Sequence, residues 1–561
     1  MIQARIPPAW PATLRRLAFI AAALLASVAQ GAVAAPGEDA PEVLATLPPD
    51  EVLEAEGAVI GRIWIERNNI FDTNDPAESG GFYRAANALH VVTRESTIRA
   101  QLLFEGGDLY SRRLLDESER ILRDNEYLWD AWIVPVKYED GVVDVRVTTR
   151  DVWTIEPGIY LSRSGGENRT GFELVDQNFL GRGGELSVGR RSDEERDSTI
   201  FGYRDKNLGA SWLSLDLNYT DSSDGQTHAL FLRRPFYALD ARWAAGGGVL
   251  DDDRVDSVYE LGDEVGEYRH QTSYANVFYG WSGGLSGGWV RRWRAGLVYD
   301  DQRFEQDPGG KVSPFIPEDR KLVYPYLSYE LLEDRFYEAR NLDQMARTED
   351  VFLGTRAELS LGWADESLGS DRNAVVFAGG VSQGYGSPAR SMFIFGTRLS
   401  GRLDSDDLAN TVLSAHGRYY RRQSERRTFY AGLSADLGRN LDLDNPIEVG
   451  ADEGLRGYPL RYQRGDRRMV FTVEQRYFTD VYLFRIFRLG GAVFYDMGRT
   501  WGDNPAGEDS MGWLRDVGFG LRFANTRTSI GKVIHVDVAF PLDGDDDIDS
   551  VQLVLEGKRS F

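Results

Sequence analysis

The sequence predicts a transmembrane antiparallel β-barrel of about 16 strands preceded by one small α+β periplasmic module. Three observations predict it. Beyond the N-terminal leader no apolar run reaches the ~18 residues that a spanning helix needs, and mean hydropathy is -0.39. From Trp153 onward the chain is a series of short segments that alternate apolar and polar residues between Gly/Asp/Asn/Ser turns. The polar parity of those segments is heavily charged, which a wet lumen accommodates and the dry centre of a soluble sandwich does not.

The elements follow in order. Arg5, Arg15 and Arg16 make a positive start, Leu17 to Ala29 a short apolar core, and Ala32-Val33-Ala34 a cleavage site. Residues 1–34 are therefore a signal peptide, excluded from the fold. Residues 35–56 are acidic, Ala/Pro-rich and aperiodic, as a linker is. Residues 57–152 read as the module. A strand covers Val59 to Ile65 and a short helix Ala85 to Val92. A second helix covers Asp108 to Asn125, with Ser111 as N-cap, Tyr110 stapled onto Leu115, and Asn125 as a left-handed stop. A hairpin runs from Trp129 to Thr148 over Glu139-Asp140-Gly141.

Residues 153–561 are the barrel. In Val470 to Tyr477, Glu474 and Arg476 oppose Phe471, Val473 and Tyr477. In Val533 to Phe540, His535 and Asp537 oppose Ile534, Val536, Val538 and Phe540. Val551, Leu553 and Leu555 line one face of the last strand. Tyr419-Tyr420 and Tyr477-Phe478 gather at strand ends, where interfacial girdles sit. Roughly 400 residues at about 25 per strand and loop give ~16 strands, an even number that returns both ends to one side.

Composition narrows the function. Lys and Arg number 64 against 88 Asp and Glu, a net charge of -24, which lacks the basic face nucleic acid requires. There is no cysteine, so thiol catalysis, disulfides and thiolate metal sites are excluded. The five histidines are dispersed without ligand spacing, so no metal is expected. Gly280-Trp-Ser282-Gly-Gly284 matches a hydrolase elbow, but strand-like sequence follows where a helix is required. The acidic run Asp543 to Asp549 has Ile548 and Val554 where a calcium loop needs Gly and Glu. It reads as a solvated loop.

The segment Gly454-Leu455-Arg456-Gly457-Tyr458-Pro459 carries most information. An arginine in a Gly-bracketed loop within a β-rich region needs carboxylates, and its planar fork suits them bidentately. Glu474 and Asp496, both on the inward parity, are the candidate partners. Together with Phe494-Tyr-Asp496-Met-Gly498, the strand Gly518 to Arg522 and the terminal Phe561, this segment resembles the BamA/TamA-type outer-membrane assembly and transport superfamily, of bacterial surface antigen type. Leu455, Arg456, Gly457 and Tyr458 match its loop motif, and Phe494, Asp496 and Gly498 its F-x-D-x-G strand motif. Gly106 to Tyr110, Leu115 to Arg123 and Asp140 to Val145 match its polypeptide-transport-associated (POTRA) module. The junction Thr149 to Thr154 and the early barrel segment Asn178 to Gly183 also look like the family; residues 190–440 match only in texture. Family members carry two to five such modules, whereas this sequence accommodates one.

The resemblance implies a Gram-negative-type outer membrane location with the module in the periplasm. It implies assembly or translocation of unfolded outer-membrane or secreted polypeptides, without enzyme activity, nucleotide or cofactor. Outer-membrane lipids and an accessory periplasmic protein are the further partners it implies. In this picture a seam between the first and last strands opens, Gly557 weakens pairing there, and Phe561 is the sorting signal. The competing functions are a passive porin and a lipid-transport barrel.

Overall fold

The computed structural model describes residues 47–558, apart from 165–166, 194, 406, 506–510, 529–532 and 546–547. The signal peptide, most of the linker and Phe561 lie outside the described residues.

The N-terminal module is a three-stranded sheet with helices on it. Its elements are α1 (Asp50–Ala55), β1 (Val59–Asn68), α2 (Gly81–Leu89), α3 (Glu95–Arg99), α4 (Arg112–Arg123), β2 (Leu128–Glu139) and β3 (Val142–Asp151). The order is β1-β3-β2, with β1 parallel and β2 antiparallel to β3. Asp140 and Gly141 turn the hairpin with positive φ (50° and 77°). Leu53, Ile60, Leu115, Leu122, Ile133, Val143, Val145 and Val147 form its core.

Three local expectations are corrected. The linker does not extend to residue 56, because Leu53 of α1 is fully buried in that core and the Tyr110 hydroxyl donates to Asp50 at 2.6 Å. Ser111 occupies the N-cap of α4 without a side-chain bond; the Glu54 carboxylate accepts from Arg112 N instead, at 2.8 Å. Asn125 is not a left-handed stop. Its amide donates to Ile121 O and Leu122 O, closing the helix from the side.

The rest is one large antiparallel sheet. Among the described residues it has twenty strands, from Ile155–Ser164 to Gln552–Lys558, ordered as a ring in which each pairs with its sequence neighbours. Leu555 pairs with Arg163 where last meets first. The excess over about 16 strands has a simple cause: turns are shorter than expected. Two residues suffice between Ser222 and Gly225, Glu260 and Asp263, Ser286 and Trp289, and Ser424 and Arg427.

Side chains alternate across the wall. Leu359, Leu361 and Trp363 point outward and exposed, as do Val277, Tyr279 and Trp281 on Asp263–Ser286, and Leu433 and Leu437 on Arg427–Arg439. Inward lie Glu330, Arg292, Glu474, Arg476, Asp496, Arg522 and Asp537. No helix among the described residues is long and apolar enough to cross a membrane, and the outer surface is instead an apolar belt of strands. Alternation also splits the expected aromatic pairs. Tyr419 faces outward against Phe429, while Tyr420 and Phe478 are buried inside.

The module sits across one mouth of the ring. Arg94 Nε donates to Leu180 O (3.0 Å) and Asn207 to Ala100 O (3.0 Å), and Arg113 pairs with Asp240. Arg527 Nη1 donates to Ile70 O at 2.6 Å and pairs with Glu78.

Candidate functional site: the plugged lumen

Between Arg427–Arg439 and Arg467–Leu483 the chain makes a long loop at the end opposite the module. A short hairpin, Ile447–Val449 with Gln463–Gly465, gives the loop its stem. Gly454, with φ 106°, lets it turn inward. Leu455 N donates to Gly450 O (2.9 Å) and Tyr458 N to Leu455 O (3.0 Å), so Arg456 stands at a tight bend.

Arg456 Nε and Nη2 bind the two oxygens of Asp496 at 2.7 and 2.9 Å. Nη1 binds Glu474 Oε1 at 2.8 Å, and Asp537 lies 3.8 Å away. The guanidinium carbon is 3.4 Å from the centre of the Phe494 ring, a cation–π contact on its remaining face. Arg456 is 6% exposed and Asp496 fully buried. A charge so enclosed is tolerable only because both sides of the pair are satisfied.

The other motif residues complete the seat. Leu455 packs over Gly498, where an added Cβ would meet its side chain at 3.1–3.3 Å. Gly457 N donates to Asp516 Oδ2 at 3.2 Å, and a Cβ on Gly457 would lie 2.6 Å from Asp516 Cβ. The Tyr458 hydroxyl donates to Arg515 O (2.7 Å) and accepts from Arg515 N (3.0 Å). The structure thus brings Leu455, Arg456, Gly457, Tyr458, Glu474, Asp496 and Gly498 together. Gly557 is elsewhere, paired with Ile534 in the last strand.

Beside this seat the network continues. Glu474 Oε2 accepts from Arg476 Nε at 2.8 Å, and Arg522 pairs with Asp537. Arg476 Nη1 in turn binds Leu342 O (2.7 Å) and Asp343 (2.9 Å). Leu342 and Asp343 belong to residues 334–355, which leave the wall at the module end as a hairpin (Phe336–Ala339 with Glu349–Phe352) and enter the lumen. Tyr420 also donates to Asp343, at 3.0 Å, and Met345 packs on Phe478 and Ala492. The same strap reaches the module. Asp350 takes Arg123 bidentately at 2.7 and 2.9 Å, Thr348 donates to Asp130 at 2.7 Å, and Arg347 donates to Arg123 O at 2.6 Å. Between module, strap and inner wall is a chamber of about 1630 Å³, lined in part by Arg120, Tyr127, Tyr203, Trp212, Arg292 and Tyr420.

Sequence reasoning missed the strap and Asp516. The strap falls where the sequence has only general β texture. Asp516 was open to reading, because alternation through Leu514–Asn525 places it on one face with Arg522. Ser282 lies inside the strand Asp263–Ser286, its hydroxyl donating to Arg291 O at 2.9 Å, with no elbow or helix after it.

No family model matches the chain, and no curated protein matches it. Among solved structures it is similar to BamA from Haemophilus ducreyi lacking POTRA domains 1-3, at 13% identity and TM-score 0.38 over 89% of this chain and 85% of that one. It is also similar to CdiB from Acinetobacter baumannii (12% identity, TM-score 0.40, 97% and 96%) and CdiB from Escherichia coli (11%, 0.34, 99% and 99%).

Proposed function

We propose that the chain is an outer-membrane barrel that assists insertion of outer-membrane proteins or translocation of polypeptides, with residues 50–152 acting as a periplasmic POTRA-type module. The observation that carries this reading is the Arg456 seat. A loop is drawn into the lumen and held by a bidentate buried ion pair, which supports a lumen closed at rest rather than an open pore. A passive porin needs an open channel, and a lumen occupied from both ends argues against it.

The apolar belt supports the membrane location, since alternate residues on Arg356–Ala364 and its neighbours expose Leu and Trp. The seam supports the mechanism. Gln552–Lys558 pairs with Val533–Pro541 on one side and, through Leu555 and Arg163, with Ile155–Ser164 on the other, so the first and last strands meet edge to edge. Gly557 adds no side-chain packing there. An opened seam offers unpaired backbone groups to an incoming strand while keeping them from lipid. The module's sheet offers less of this kind, because Ile60 on its β1 edge bonds Gly107 and Asp108 and Ile133 on its β2 edge is taken by Glu119 and Arg112.

Site-specific photocrosslinking from the last strand in living cells tests the reading. Trapped unfolded polypeptides are the expected result. Trapped lipid alone assigns the barrel to lipid transport, and no adduct in a folded barrel overturns the seam mechanism.

A further inference from the structure

Helix α2 leaves its apolar side uncovered. Phe82, Ala85 and Leu89 fall at i, i+3 and i+7 and share a stripe. The opposite side holds the helix in place. Asn87 donates to Phe71 O at 2.8 Å and accepts from Phe71 N at 3.1 Å, and the Tyr83 hydroxyl reaches Phe484 O at 3.4 Å. No residue of α2 is buried, and Phe82 and Leu89 are 66% and 70% exposed.

The stripe runs on to the barrel rim. Val91 is exposed beside the turn Phe179–Gly181, whose Gly181 O accepts from Arg94 N at 3.0 Å. Phe179, Leu180 and Phe484 are exposed at turn tips, Leu180 and Phe484 with positive φ, a conformation that usually selects glycine or asparagine. These turns cap strands whose outer faces carry Phe172, Leu174, Val188 and Val493 of the belt. Charge selects the same face. Residues 81–93 and 481–487 carry Arg84 and Arg485 and no Asp or Glu, in a chain with 88 acidic residues against 64 basic ones.

We propose that this face is a lipid-surface contact. Helix α2 lies in the plane of the membrane at headgroup level, with Phe82 and Leu89 in the acyl boundary and the guanidiniums of Arg84 and Arg485 toward anionic lipid phosphates. The occupant is lipid because the patch is continuous with the apolar belt and its charge is wholly basic. The inference rests on the membrane-barrel reading. Its consequence is positional: His90, just after α2, lies 2.9 Å from Asp151 at the entrance to the first strand, so the anchor holds the module beside the seam.

The absence of cysteine permits single-site labelling. The full chain carrying Leu89→Cys or Phe82→Cys, with an environment-sensitive fluorophore, is placed in phosphatidylethanolamine/phosphatidylglycerol vesicles with or without acyl chains brominated both near the headgroup and near the chain end. Leu433→Cys on the belt and Glu105→Cys on an exposed module loop serve as references. Roughly twofold quenching at positions 82, 89 and 433, and none at 105, is the expected result for an interfacial helix. Quenching at 433 with positions 82 and 89 open to aqueous iodide overturns the lipid contact and leaves the barrel reading standing. No quenching at 433 overturns both.

Discussion

At Arg456 one planar cation satisfies Asp496 on two oxygens and Glu474 on one while lying on the Phe494 ring. Removing it leaves two buried carboxylates facing each other, and breaking such a pair costs about 3–5 kcal/mol. Arg456→Ala is therefore expected to yield a barrel that folds but releases its loop and functions poorly. Asp496→Ala follows in the same direction, and the double variant falls well short of the sum, because each single change already breaks the shared pair. Denaturant midpoints, limited proteolysis at residues 440–466 and complementation of a deletion measure this. Full complementation by both single variants sinks the lock. Arg456→Lys should not rescue, since an ammonium cannot reproduce the fork. The two glycines separate by their neighbours. A methyl at Gly457 meets Asp516 Cβ at 2.6 Å and Pro541 N at 3.2 Å, whereas at Gly498 it meets the flexible end of Leu455 at 3.1–3.3 Å. Gly457→Ala should free the loop as Arg456→Ala does, and Gly498→Ala should shift it only slightly; equal proteolysis of the two contradicts this.

Helix α4 shows how an element can be legible on one face and hidden on the other. Leu115, Ser118 and Leu122 mark its packing face in the sequence, and they pack as the period demands. Its charged face looks solvated, yet Glu117 accepts from Leu239 N at 2.7 Å and Arg123 is clamped by Asp350. A single sequence has no local signal for burial by a partner more than a hundred residues away, and the strap was illegible for the same reason. The Arg456 seat was legible because its partners stand at alternate positions of clean strands. Glu119, on α4, tests the buried face. Burial raises its carboxyl to about 7, more than Arg112 and Arg123 offset. An acid whose pKa is higher folded than unfolded (about 4.3) contributes stability that is full below the unfolded value and lost as pH rises through 7. Glu119→Gln keeps an acceptor for Ile133 N and removes that slope. Chemical denaturation of the module transition in the full chain, from pH 4 to 8, should flatten in the variant; an unchanged slope places the titration elsewhere.

Across the whole molecule the two inserts meet through one chain of ion pairs. Arg123 holds Asp350 on the strap, Asp343 near the strap tip holds Arg476, Arg476 holds Glu474, and Glu474 shares Arg456 with Asp496. The module end and the far loop are thus fixed to one another through the wall, and neither insert is seated independently. A barrel of this circumference has room for a wide aqueous channel, and here side chains from both loops occupy it. Electrical conductance in planar bilayers reads that occupancy directly. The intact chain should conduct poorly. Shortening the strap tip (Leu342 to Met345) or excising residues 441–464 should each open it in part, and the loss of either should raise protease access to the other, because the first takes partners from Arg476, the second takes Arg456 from Glu474, and Arg476 and Glu474 bind each other. Removing both should give the large, steady steps of an open pore. If either deletion alone produces the full open conductance, the inserts are not in series. If neither changes protease access to its counterpart, the ion-pair chain does not couple them.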